Sequence, residues 1–168
     1  MSKQFLTFVI ENTTYAFEIN RVQEVLEYVK PVKIPCAASY IEGLINSRNQ
    51  GITLVNLRLR FGLEPQLPTK KTRIVVLELP DPLQDDEQHK QLFGVVADSV
   101  NEVITLEESE IEAAPKIGNS ISPEYITGLA NYNNGFVSLL NPERIFTGYT
   151  ELNQNKQIPA EENSDEEQ

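Results

Sequence analysis

Tyr40-Ile41-Glu42-Gly43-Leu44-Ile45-Asn46 recurs, 85 residues later, as Tyr125-Ile126-Thr127-Gly128-Leu129-Ala130-Asn131. At the same offset Ile52-Thr53-Leu54-Val55-Asn56 lines up with Val137-Ser138-Leu139-Leu140-Asn141, and Phe61 with Phe146. Upstream, the segment Tyr15 to Leu26 parallels Phe93 to Ile104 at an offset of 78. Self-similarity at a fixed spacing marks a duplicated structural unit. Two copies predict a pseudo-symmetric pair of small β modules, with a binding cleft between the halves.

The repeats contain strand and turn signals. Phe5 to Ile10 and Tyr15 to Ile19 read as strands joined by a turn at Glu11-Asn12-Thr13-Thr14, and in the second Tyr15, Phe17 and Ile19 alternate with Ala16 and Glu18. Val22 to Val29 continues as strand until Pro31 and Pro35 break it. Ala37 to Tyr40 reads as one helical turn. Gly43 to Asn46 and Gly51 to Val55 form a strand pair connected by the polar Ser47-Arg48-Asn49-Gln50. Asn56 is placed to cap a helical turn over Leu57 to Phe61, with Gly62 in the left-handed position beyond it; Asn141, Pro142 and Gly148 repeat that chemistry.

Glu64 to Lys71 is a Pro-rich connection. Ile74 to Leu79, a continuous apolar run, predicts a buried strand, and Leu92 to Ala97 and Val100 to Leu106 predict two more. The acidic Pro80 to Lys90 reads as an exposed hairpin loop, Glu107 to Ile111 as a short helical turn, and Lys116 to Glu124 as a loop. The fold is therefore expected to be mostly β: two packed barrels of about five strands each, with short helical turns. The expected organisation is one unit over 1–150, its first barrel near 1–70 and its second near 71–150, with the boundary free to intertwine. Residues 151–168 follow as an acidic tail, too polar to bury itself and order.

Of 168 residues, 40% are hydrophobic, enough for a packed core. A net charge of −11, from 14 basic and 25 acidic side chains, argues against nucleic acid or an anionic membrane as partner. Cys36 is the only cysteine and His89 the only histidine, which rules out an intrachain disulfide and a multi-histidine metal site. The first apolar run is too short for an export signal or a bilayer span, so a cytoplasmic protein is expected, and the glycosylation pattern at Asn12-Thr13-Thr14 carries no weight.

No catalytic constellation emerges. Cys36 with His89 would be a nucleophile–base pair on paper, but a small packing residue and a solvated loop histidine explain them better. Glu18 with Glu24, and Glu107 with Glu108, read as surface charge rather than acid–base pairs. No phosphate-cradling loop and no metal-ligand spacing is present, and no cofactor is expected. Arg48 stands out as a planar, multi-donor cation on a turn between apolar strands.

In order and spacing the chain resembles the CheW family of bacterial chemotaxis coupling proteins over about residues 4 to 148. Phe5-Leu6-Thr7-Phe8, Tyr15 to Ile19 and Val22-Gln23-Glu24-Val25 match its opening. Gly43-Leu44-Ile45-Asn46-Ser47-Arg48, Asn56-Leu57-Arg58 and Phe61-Gly62-Leu63 match its centre. Gly94 to Val100, Glu102-Val103, Tyr125 to Gly128 and Leu139-Leu140 match its second half. The resemblance implies two packed SH3-like barrels without catalytic activity. It also implies two partners, the helical-hairpin tip of a methyl-accepting chemoreceptor and the regulatory domain of a CheA-type histidine kinase. Carried over residue by residue, the receptor-binding groove would include Val22, Gly43, Arg48, Val100 and Val103, with Gly43 letting a backbone approach closely. Glu24 and Val25 are candidates for the kinase contact.

The chain departs from the family where Asn46-Ser47-Arg48-Asn49 replaces Asn-Leu-Arg-Gly, and at Thr53 and Asn56, which replace a common Pro and Asp. Two rival readings are a stand-alone double barrel that binds a small ligand or an unrelated protein, and an enzyme using Cys36 or a carboxylate pair. A pocket inside a barrel would favour the first rival.

Overall fold

The computed structural model describes residues 1–80, 90–113 and 123–146. Eleven strands are present among them: β1 (Ser2–Ile10), β2 (Thr13–Glu18), β3 (Val22–Glu27), β4 (Ile41–Ser47), β5 (Gln50–Asn56), β6 (Arg73–Pro80), β7 (Lys90–Ala97), β8 (Ser99–Glu107), β9 (Ile111–Glu112), β10 (Ile126–Tyr132) and β11 (Gly135–Leu140). One short helix, α1 (Leu57–Arg60), follows β5, and a helical turn over 142–146 follows β11.

The strands build a six-stranded sheet in the order β8-β1-β2-β11-β10-β9 and a five-stranded sheet in the order β3-β6-β7-β5-β4. The two orders are the same path. β3 corresponds to β8, β6 to β1, β7 to β2, β5 to β11 and β4 to β10, so the duplication read from the sequence is a duplication of topology. Registers agree as well. Leu139 pairs with Ala16 in the parallel β11–β2 ladder, and Leu54 pairs with Gly94 in the parallel β5–β7 ladder. These are equivalent positions at the offsets of 85 and 78. The register shifts between Ile41 and Gly43, and again between Ile126 and Gly128, so the bulge is repeated too. The six-stranded sheet gains its extra member from β9, which pairs only at Leu129 and Ala130.

The sheets do not divide the chain near residue 70. β1 and β2 join the sheet of the C-terminal strands, whereas β6 and β7 join β3, β4 and β5. Each barrel thus combines the opening hairpin of one repeat with the remaining strands of the other. The physical reason lies in the connections: the 3-10 turn Ile19–Arg21 and the single residue Asp98 are short links that carry the chain from one sheet to the other.

Three apolar clusters follow. One fills the six-stranded barrel with Phe5, Ala16, Ile104, Leu106, Ala130, Val137 and Leu139. Another fills the five-stranded barrel with Ile45, Ile52, Leu54, Ile74 and Val76. The largest lies between the barrels and includes Leu6, Phe8, Tyr15, Phe17, Val75, Leu77, Phe93 and Phe146. Alternate residues of β1 and β6 therefore feed different cores, which is why Ile74 to Leu79 is an unbroken apolar run. Phe8 stacks on Phe17 at 5.1 Å, and Phe93 on Phe146 at 4.2 Å.

Capping follows expectation. Asn56 Oδ1 accepts from the Leu59 N–H at 3.2 Å, and Gly62 takes φ 79° beyond α1. Asn141 Oδ1 accepts from the Glu143 N–H at 3.1 Å. Glu108–Glu110 is the expected 3-10 turn, closed by a capping box between Glu107 and Glu110. The helical turn expected over Ala37 to Tyr40 is absent. Cys36 has φ 60°, the Ala38 carbonyl accepts from Ile41 in a single tight turn that is not continued, and the Tyr40 carbonyl accepts from the distant Asn56. The strand expected to reach Val29 ends at Glu27. The expected hairpin loop over Pro80 to Lys90 with His89, most of the Lys116 to Glu124 loop, Gly148 and the acidic tail lie outside the described residues.

Candidate functional site: the seam between the barrels

β3 and β8 are equivalent strands, and each lines one edge of the cleft between the barrels. Val22 pairs with Leu77 and Val100 with Phe8, and both valines pack partly buried against the inter-barrel core. Val25 pairs with Val75 and Val103 with Leu6, again residues of that core. Val25 and Val103 nevertheless remain 40% and 45% exposed. They form the solvent-facing rim of the largest apolar cluster in the molecule. Val25 and Val100 line one cleft with Lys71, Arg73, Ser99 and Asn101. Of the expected groove valines, Val100 thus shares a cleft with Val25, while Val22 and Val103 pair with residues of the same core. Val25, a candidate for the kinase contact, lies with them.

A buried threonine shapes the β8 edge. Thr7 sits where the β1–β8 register shifts between Leu6 and Phe8. Its Oγ1 donates to the Glu102 carbonyl at 2.6 Å and accepts from the Glu102 N–H at 3.1 Å. The side chain replaces the ladder bonds that the bulge interrupts, between Val100 and Val103.

Arg48 lies on the β4–β5 turn, where Ser47 pairs with Gln50 and both central residues have positive φ, 54° for Arg48 and 63° for Asn49. That is a type I′ hairpin, which prefers Asn and Gly. The side chain is 82% exposed and its Nη2 lies 3.5 Å from Glu24 Oε2. Glu24, 20% exposed, thereby ties the turn to β3 beside Val25.

Gly43 has a different surrounding from the one expected of it. It is buried, has φ 143°, and a Cβ there would lie 2.1 Å from the Val32 carbonyl oxygen. The backbone that approaches Gly43 is the chain's own, through the Val32–Leu44 bridge. Gly128 repeats the arrangement under β9, where a Cβ would lie 2.9 Å from the Glu112 carbonyl oxygen.

Polar ties hold the two barrels in place around the seam. Arg58, buried behind it, donates from Nε and Nη2 to Asp98 at 3.2 and 2.5 Å, and also to Glu11, Gln66 and the Glu64 carbonyl. The Asp98 bond chiefly raises its pKa, against the effect of burial, with Glu11 adding to the rise. Arg60 lies between the rings of Tyr40 and Tyr125, 4.7 and 4.9 Å from their centroids, and donates to the Ile145 carbonyl at 3.1 Å. Those tyrosines are equivalent positions of the repeat, so Arg60 marks its pseudo-two-fold axis. Glu42 Oε1 accepts from Asn56 Nδ2 at 3.0 Å, whereas Oε2 is buried without a partner among the described residues. Burial raises the Glu42 pKa, against the lowering effect of the Asn56 bond.

Cys36 is exposed, and His89 lies outside the described residues. Glu18 is paired with Lys3 at 3.2 Å and Glu24 with Arg48, so these two carboxylates serve separate ion pairs. Thr7, Arg58, Arg60 and the Lys71–Arg73 lip were not singled out from sequence. For Arg60 the signal was present in the repeated Tyr40 and Tyr125, but only the fold places both rings on one axis.

Two small barrels joined through a shared apolar core make a double barrel of the SH3-like class. The profile of the CheW-like domain matches residues 4–149, and the chain belongs to that family. It is 25% identical to the chemotaxis protein CheW of Klebsiella aerogenes over 147 residues, 88% of this chain and 83% of that protein. It is 32% identical to CheW of Bacillus subtilis over 114 residues, 68% and 67% of the two chains. The scaffolding protein TtCheW from Thermoanaerobacter tengcongensis superimposes with a TM-score of 0.75 at 29% identity, covering 87% of this chain and 88% of that one.

Proposed function

We propose that this protein is a non-enzymatic adaptor that couples the cytoplasmic tip of a chemoreceptor to a CheA-type histidine kinase, in chemotaxis or a related motility pathway. In this reading it works in the cytoplasm, at membrane receptor arrays. The observation that supports the reading is that Val22, Val25, Val100 and Val103, equivalent pairs from the two repeats, each pair with a residue of the inter-barrel core, with Val25 and Val100 lining one cleft. A stripe of that kind suits the apolar face of an amphipathic helix, as in other helix-in-groove interactions. Arg48, tied beside β3, is placed to exchange Glu24 for a partner carboxylate. Signalling then needs no chemistry, only a difference in contact free energy between arrangements of receptor and kinase.

The small-ligand reading is weaker, because side chains fill both barrel interiors. Calorimetric titration of a receptor-tip hairpin against wild type, Val25→Glu and Val103→Glu tests the seam. Both sites are exposed, so the variants should fold, and each should bind at least about tenfold more weakly, the scale of a desolvated anchor. Unchanged affinity in both would refute the assignment.

A further inference from the structure

We propose that the acidic segment 151–168 of this same chain docks on the cationic lip of the seam, over Lys70, Lys71 and Arg73, and competes there with the helical partner. The lip is built by the turn that leads into β6. Arg73 Nη1 donates to the carbonyls of Lys70 and Thr72, each at 2.9 Å, which fixes the guanidinium. Lys70 and Lys71 are exposed beside it. Among the described residues none of the three forms an ion pair, although Glu27 lies opposite Arg73 in the β3–β6 register. Five other cations are paired: Lys3 with Glu18, Arg21 with Glu143, Arg48 with Glu24, Arg58 with Asp98 and Lys90 with Glu78. Arg144 stands alone rather than in a cluster. Lys30 and Lys33 line a separate cleft that contains the Glu42 carboxylate. The lip is therefore a cluster of three cations without an ion pair among the described residues, on a body of net negative charge, and it borders Val25 and Val100.

Residues 151–168 hold the complementary chemistry. Glu151, Glu161, Glu162, Asp165, Glu166 and Glu167 against Lys156 give the segment a charge of −5. Ile158 and Pro159 precede the acidic run and offer apolar area for the valines. The fifteen residues from Phe146 to Glu161 can span up to about 50 Å, whereas a domain of this size has a radius of gyration near 15 Å. Every face is within reach, so charge selects the site. A tethered ligand acts at an effective concentration on the order of millimolar. Surface ion pairs are individually weak and screened by salt, so the segment would lower partner affinity by roughly 2- to 10-fold. Only the competition depends on the function proposed above.

Zero-length carbodiimide cross-linking of the full chain, followed by peptide mass spectrometry, tests the docking. Intramolecular links in the monomer from Lys70 or Lys71 to Glu161–Glu167 are expected, and their yield should fall several-fold at about 0.5 M salt. Equal yields at Lys30, Lys33 and Lys90, or links confined to a dimer, would overturn it. A full-length variant carrying E161Q, E162Q, D165N, E166Q and E167Q should bind the receptor-tip hairpin 2- to 10-fold more tightly than wild type. Equal affinity would overturn the competition. Binding by neither protein would overturn the function proposed above, and the competition with it, while the cross-links still decide the docking.

Discussion

Arg48 occupies a backbone conformation that suits other residues better. At φ 54° an L side chain meets a penalty of roughly 1 kcal/mol, which Asn and Gly largely escape. The equivalent turn of the second repeat uses Asn133 and Asn134 at φ 49° and 62°. Arg48→Asn should therefore raise unfolding stability by about 0.5–1 kcal/mol in denaturant titration while weakening hairpin binding. The exposed Glu24 pair that it sacrifices contributes little. A variant that lost both stability and affinity would show that the arginine is structural. Sequence alone marked Arg48 as a turn cation, because the type of residue and its flanking strands were visible. Thr7 was hidden, because its role depends on a bulge in a ladder with a strand 95 residues away. Thr7→Val keeps the shape and removes both bonds to Glu102, so a loss of about 1–3 kcal/mol is expected from the orphaned backbone. Glu42 carries a pH signature. Its raised pKa means that the native state holds a proton more firmly than the unfolded chain, so its contribution is fullest below the unfolded value of 4.5 and declines as pH rises through the folded value. Glu42→Gln should melt higher than wild type at pH 7, with the gap closing near pH 4; a gap independent of pH would contradict this.

At the scale of elements, each hairpin β4–β5 and β10–β11 is capped by a segment crossing its edge strand, and each crossing rests on a glycine. Gly43→Ala forces a methyl into the Val32 carbonyl, and a cost of about 2 kcal/mol or more is expected, measured by chemical unfolding. Because Gly43 supports its own strap, that variant should lose stability before it loses partner affinity per folded molecule. The repeated glycine was legible from sequence; what approaches it was not, since a bridge of two backbone hydrogen bonds leaves no pattern. Strands whose side chains alternate between two cores were legible as apolar runs. The turn before Ile41 is not continued as helix because propensity near Ala37 and Ala38 says nothing of the Tyr40 carbonyl, which is committed to the distant Asn56.

The whole molecule is organised about the axis that Arg60 occupies. Arg60→Ala would take the cation from the faces of Tyr40 and Tyr125 and remove the donor to the Ile145 carbonyl. A loss near 2 kcal/mol is expected, in a single cooperative transition by both fluorescence and circular dichroism. The shared core between the barrels is the reason for one transition rather than two. The exchange of hairpins between repeats also sets an order of events during synthesis. Residues 22–97 contain every strand of the five-stranded sheet, so that barrel can close while later residues are still inside the ribosome. β1 and β2 leave the ribosome before that barrel, yet their neighbours β8 and β11 are made only after it. The hairpin β1–β2 must wait, its apolar faces open, until strands from the far side of an already completed barrel arrive.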